Sequence, residues 1–208
     1  MINVNADLFR AAALFVSAEK TRYYLQGVYV APWAAGGAVL VATDGHRLFA
    51  AHDVAGACDT AAIVKLDKAT LAACKRGKNE TDVRRVTLAP GESRAWILAG
   101  DRQAAFADDV RSDGTFPDWR FVLPMKATTD APAADTLTVG AYNADYLASF
   151  GAASKIINDS RTPRISVRHA GRNGLAFIGV DSNIAFGVLV PMRGVAGDTD
   201  RPAWLDMA

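Results

Sequence analysis

Apolar residues along the chain follow two periods that alternate in a recurring order. A short apolar opening, "MINV", leads into "NADLFRAAALFVSAEK". There Leu8, Ala11, Ala12, Phe15 and Val16 fall on one helical face, with Asn5 placed to cap it. Three runs of strand character follow: "TRYYLQGVYVAP", "AVLVATDG" and "HRLFAAHDV", punctuated by Pro32, Gly36-Gly37 and Asp44-Gly45. The order then repeats. "AAIVKL" reads as a strand and "DKATLAACKRG" as a helix with Asp67 as N-cap and Gly77 as C-cap. "RRVTLAP", "SRAWILAG" and "RQAAFADDV" read as strands.

After a loop, "RSDGTFPDWRFVLP", and a Pro/Ala/Thr-rich stretch, "MKATTDAPAAD", the order comes a third time. "TLTVG" is a strand, "NADYLASFGAASKI" a helix, and "RISVRHA", "LAFIGV" and "IAFGVLVPMR" the strands after it. The helix openings "VNADLF" and "YNADYL" share Asn-Ala-Asp. The pattern predicts an α+β fold of three βαβββ modules, with helices on one face of antiparallel sheets. One short helix cannot cover several strands, so modules must pair. An odd module either stands alone or pairs with a module of another chain, burying an otherwise exposed sheet edge.

Composition narrows the partners. Half of the 208 residues are hydrophobic, 22% are charged and the net charge is +1, so bulk charge does not mark a nucleic-acid binder. Any such surface must come from local clustering. Cys58, expected in a loop, and Cys74 lack metal or redox-pair spacing. Neither a signal pattern at the N-terminus nor a bilayer-length apolar run is present, so the expectation is a cytoplasmic protein with reduced thiols and no membrane role.

"TDGHRLF" sets Asp44, His46 and Arg47 side by side and invites a catalytic reading. That chemistry needs a nucleophile or a metal in reach. No Ser or Cys stands in a suitable context, and His52 and His169 have no ligand spacing with His46. Asp44-Gly45 is instead a strong turn signal. Basic residues cluster near the helices: Arg10 and Lys20 at the first, Lys68, Lys75, Arg76 and Lys78 at the second, Lys155 at the third. Such charges commonly make a solvated face. Gathered on one surface they would attract phosphates without reading bases. In "VPMRG", Met192 is a residue type suited to varied apolar partners, and Arg193 can pair with a carboxylate.

"TRYYLQGVYV", "LVATDGHRLFA", "SDGTFPDWRFVLP" and "FGVLVPMRG", in this order, resemble the bacterial replicative sliding clamp, the β subunit of DNA polymerase III. The likeness runs, with gaps, from residue 1 to about 194. It implies residues 1–124 as a complete clamp domain like the family's middle one, 125–135 as a linker, 136–194 as a single module like the second half of the last domain, and 195–208 as an added tail.

The resemblance implies a ring around duplex DNA with helices lining the hole, no catalytic site of its own and no cofactor. It also implies a pocket for short linear motifs of polymerases and clamp loader. Matched residue by residue, Arg22, Leu25, Thr43, Gly45, His46, Arg47 and Leu48 form one wall, Pro124 the junction, and Val190, Pro191, Met192 and Arg193 the other wall. The sequence departs from the family by carrying three modules where a clamp chain has six, and by ending its last strand in "VPMRG" rather than "MPMRL". If ring size follows the family's twelve modules, four chains would close it as a homo-oligomer. The alternative is a clamp-like interaction protein that forms no ring and binds polymerase or loader motifs as a regulator or decoy.

Overall fold

The computed structural model describes residues 1–123, 141–170 and 175–192. Strand β1 (Ile2–Asn5) runs into helix α1 (Ala6–Ala13) through Asn5, whose Oδ1 accepts from the Asp7 and Leu8 N–H groups. A meander follows: β2 (Val28–Pro32), β3 (Ala38–Thr43) and β4 (Arg47–Asp53), then the two-residue β5 (Ala57–Cys58). The second module is β6 (Ala62–Val64), α2 (Lys68–Ala73), β7 (Arg84–Leu88), β8 (Ala95–Ala99) and β9 (Arg102–Ala107), closed by β10 (Arg111–Ser112). The third contributes α3 (Ala144–Asn158), β11 (Ser166–Ala170), β12 (Leu175–Gly179) and β13 (Ala185–Leu189).

Two antiparallel sheets exchange opening strands. One runs β5-β1-β7-β8-β9, so β1 pairs with the second module's meander. The other runs β10-β6-β2-β3-β4-β13-β12-β11, so β6 pairs with the first module's meander and the third module extends the sheet across β4. Exchange ties the first two modules into one unit. Asp53, 5% exposed, reinforces it by accepting from the Asn5 N–H at 2.6 Å and from Arg85 at 3.2 Å.

A single apolar core lies between the sheets and helices. Phe9, Phe15 and Phe49 of the first module meet Phe150, Ile178 and Leu189 of the third within it. At the junction Phe15 stacks on Phe49 with centroids 4.9 Å apart and meets the Phe150 ring at 4.7 Å. Phe150 lies directly on Gly187, where a Cβ would collide with the ring. A second, smaller cluster covers the opposite face of the long sheet. There residues 113–123 lay Phe116 and Trp119 over Val39, Val41, Leu48 and Ala50.

At four places the structure differs from the sequence expectation. α1 stops at Ala13 instead of reaching Lys20, because the turn closed by the Phe15 N–H on Ala12 O drives Phe15 into the core. "TRYYLQ" is not strand: Lys20–Leu25 is a 3₁₀ turn, held by the Ser17 N–H on Leu25 O and the Gln26 N–H on Tyr23 O. Gly27 lets the chain enter β2 against the β6 backbone, where a Cβ would come 2.9 Å from Val64 O. Gly77 does not cap α2, which ends at Ala73, and its N–H binds Glu80 instead. Cys58 sits in β5 rather than a loop. The expected strand "TLTVG", the linker 125–135 and the tail 195–208 lie outside the described residues.

Candidate functional site

The turn between β3 and β4 consumes the polar groups that looked catalytic. Gly45 takes φ +91°, and Thr43 Oγ1 accepts from its N–H at 3.1 Å while donating to Arg47 O at 2.8 Å. Asp44 Oδ1 accepts from the His46 and Arg47 N–H groups at 2.9 and 3.0 Å, and Oδ2 takes Arg47 Nε at 2.9 Å. Both carboxylate oxygens therefore hold the turn. Among the described residues no three His, Cys, Asp or Glu side chains gather as metal ligands. Cys58 and Cys74 are buried thiols, and burial pushes Cys74 up to about 12, the opposite of an activated nucleophile.

Alternation along β4 separates two neighbours. Arg47 turns toward the helices, donating to Leu14 O at 3.1 Å with its guanidinium over the Phe15 and Tyr146 rings. Leu48 points the other way into the outer cluster. There it meets Leu25, and its cross-strand partner on β13 is Val188. Leu123 packs on the same cluster just before Pro124. The rim is set by the chain leaving β13: the Val190 N–H donates to His46 O at 2.9 Å and the Met192 N–H to Ala141 O at 2.8 Å. Arg22 closes the near side, its Nη1 2.8 Å from where a Gly45 Cβ would stand.

The structure thus brings together Arg22, Leu25, Thr43, Gly45, His46, Leu48, Val190, Pro191 and Met192 at the β4–β13 end of the long sheet, with a buried Leu25–Leu48 floor. Val190 and Met192 are exposed apolar residues, as is Tyr23 on the 3₁₀ turn. Pro124 and Arg193 lie outside the described residues. Val188 and Leu123 were not singled out by the sequence, since only the β4–β13 register and the fold of the 113–123 loop reveal them. An open groove of about 330 Å³ lies on the same sheet beyond this floor, lined by Trp33, Trp119, Phe177 and Phe186 among others.

The helices occupy the other face, with α1 and α3 packed against each other. The basic residues on the helices and in the segments that follow them divide into two groups. Arg10 pairs with Asp7 at 2.8 Å and Arg76 reaches the same carboxylate at 3.6 Å, so these two are partly neutralised. Lys20, Lys68, Lys75, Lys78 and Lys155 are exposed and form no ion pair among the described residues.

The long sheet built from strands of all three modules, with helices on one face, decides the architecture. The chain is similar to a sliding clamp from Bartonella birtlesii bound to griselimycin, at 18% identity and TM-score 0.60 over 92% of this chain and 65% of that one. The chain has the bacterial sliding-clamp fold. The β subunit of DNA polymerase III from Caulobacter crescentus matches at 22% identity and TM-score 0.60, over 93% of this chain and 65% of that one. That from Borrelia burgdorferi, in complex with a natural product, matches at 13% identity and TM-score 0.64, over 93% and 63%. The chain therefore spans about 65% of the length of the sliding clamps it resembles. No protein-family model matches it, and neither does any curated protein.

Proposed function

We propose that the chain is a shortened sliding clamp, a processivity factor without catalysis of its own. As a homo-oligomer it encircles duplex DNA in the cytoplasm and tethers a polymerase or clamp loader by a short peptide segment. The observation that carries this reading is the β4–β13 junction. One pairing of strands sets α1 and α3 side by side on one face and opposes Leu48 to Val188 on the other. The helix layer, with unpaired Lys68 on α2, Lys75 just past it and Lys155 on α3, suits phosphates contacted without base readout. The outer face offers a preformed apolar floor with exposed Val190 and Met192 at its rim, which suits a few anchor side chains of a short peptide.

Fluorescence anisotropy with a labelled clamp-docking peptide from a bacterial polymerase tests the groove. Binding in the micromolar range is expected, weakened about tenfold by Met192→Ala and Leu25→Ala. Met192 is 56% exposed, so its variant should keep wild-type stability and read binding alone. Absence of binding to the wild-type chain contradicts the tethering role.

A further inference from the structure

The molecule contains its own example of how one unit joins the next. β4 and β13 are each the third strand of a module's meander, and they pair antiparallel. In that junction large residues face small ones: Phe186 stands opposite Ala50 and Phe49 opposite Gly187. β9 is the corresponding third strand of the middle module. Among the described residues it is the outermost strand of its sheet, and Arg102, Gln103, Ala104 and Phe106 are exposed along it. An exposed edge of this kind invites strand pairing unless something selects the partner.

We infer that β9 pairs antiparallel with β9 of a second copy of this chain, across a two-fold axis near Ala105. The sequence of the strand together with Asp108, the residue just past its end, is self-complementary about that point. Antiparallel pairing there sets Phe106 opposite Ala104, repeating the large-against-small pattern of the internal junction. It also sets Arg102 opposite Asp108, twice over, because an isologous contact uses each pair reciprocally. Asp108 is already oriented: it binds Arg94 Nε at 2.6 Å, and the Arg94 guanidinium lies 5.0 Å over the Phe106 ring and 5.6 Å over Trp96. Opposite Ile97 and Leu98 the strand carries a bulge that leaves Ala104 without a β8 partner and adds local twist beside the axis, which keeps the pairing short. Arg102 disfavours an edge that sets a basic residue opposite it, and Asp108 of an identical chain supplies the matching charge.

The inference rests on the ring reading for its purpose and gives that ring a symmetry: like edges meet, rather than a front edge meeting a back one. Light scattering at micromolar concentration should show an oligomer. R102D, which sets like charges across the axis, should weaken it about tenfold, and R102D/D108R should restore it. Ala105→Cys should form a disulfide-linked dimer on oxidation, while the wild type should not, since Cys58 and Cys74 are buried. Circular dichroism confirms folding of each variant. A monomeric wild type overturns this inference and the ring together. An oligomer indifferent to R102D, with no Ala105→Cys dimer, overturns the β9 contact alone and leaves a ring closed through another edge, such as β11.

Discussion

The Arg47 guanidinium lies 4.8 Å over the ring of Tyr146, a residue of the third module, while its Nε is held by Asp44 of the first. The same cation lies 5.0 Å from the centroid of the Phe15 ring. A residue that looks from its neighbours like part of a catalytic cluster therefore fastens the β3–β4 turn to the helix layer of another module. Arg47→Ala should lower stability by about 2 kcal/mol, since it removes a partly desolvated cation–π pair and leaves Asp44 with one partner fewer. Urea unfolding measures this. A variant as stable as the wild type would show that α3 docks without it.

Gly187 and Phe150 test the same junction from the sheet side. Gly187→Ala should cost about 1–3 kcal/mol, because its Cβ would collide with the Phe150 ring. Combined with Phe150→Leu, part of that cost should vanish, giving a coupling of about 1 kcal/mol in a double-mutant cycle. Strict additivity would mean that the two residues do not touch.

Acid should weaken the middle module through Glu80. Arg84, which reaches the carboxylate with Nε at 3.0 Å and Nη2 at 2.7 Å, and then the Gly77 N–H, hold Glu80 at about 2 rather than the usual 4.5. A carboxyl depressed on folding stabilises the protein above its unfolded pKa and loses that contribution as pH falls toward the folded value. Glu80→Gln should therefore be less stable than the wild type at neutral pH, with the difference shrinking between 4.5 and about 2. Thermal melts across that range read it out. A difference independent of pH would mean that the Arg84 pair does not act through charge.

DNA attraction should come from the unpaired lysines rather than from Arg10. Lys75→Glu with Lys155→Glu should weaken DNA binding and flatten its dependence on salt by about one unit for each phosphate left without its lysine. Peptide binding should stay unchanged. Arg10→Ala should matter less, because Asp7 already occupies that guanidinium. The opposite ranking would move the DNA-facing surface elsewhere.

Local chemistry was legible in the letters. Asn5 and Asn143 cap their helices, each accepting from N–H groups two and three residues on, because such bonds depend on neighbours in sequence alone. The Asp44-Gly45 turn was legible for the same reason. Long-range register was not. Nothing in "HRLFA" or "FGVLV" states that Leu48 will face Val188, and that pairing is what assembles the groove floor. Nor does the alternation say which of Arg47 and Leu48 faces the helices, since that depends on which side of the sheet α1 and α3 cover. "TRYYLQ" misled because its apolar spacing fits a strand, while the backbone bonds of Ser17 and Gln26 curl it into a turn.

Retention on circular DNA reads out encirclement. The protein, loaded onto nicked circular duplex at moderate salt, should travel with the DNA through gel filtration and fall away once the circle is cut. Equal retention on circular and linear DNA, or none on either, would contradict encirclement. Peptide binding without retention on the circle would leave a docking protein that forms no ring.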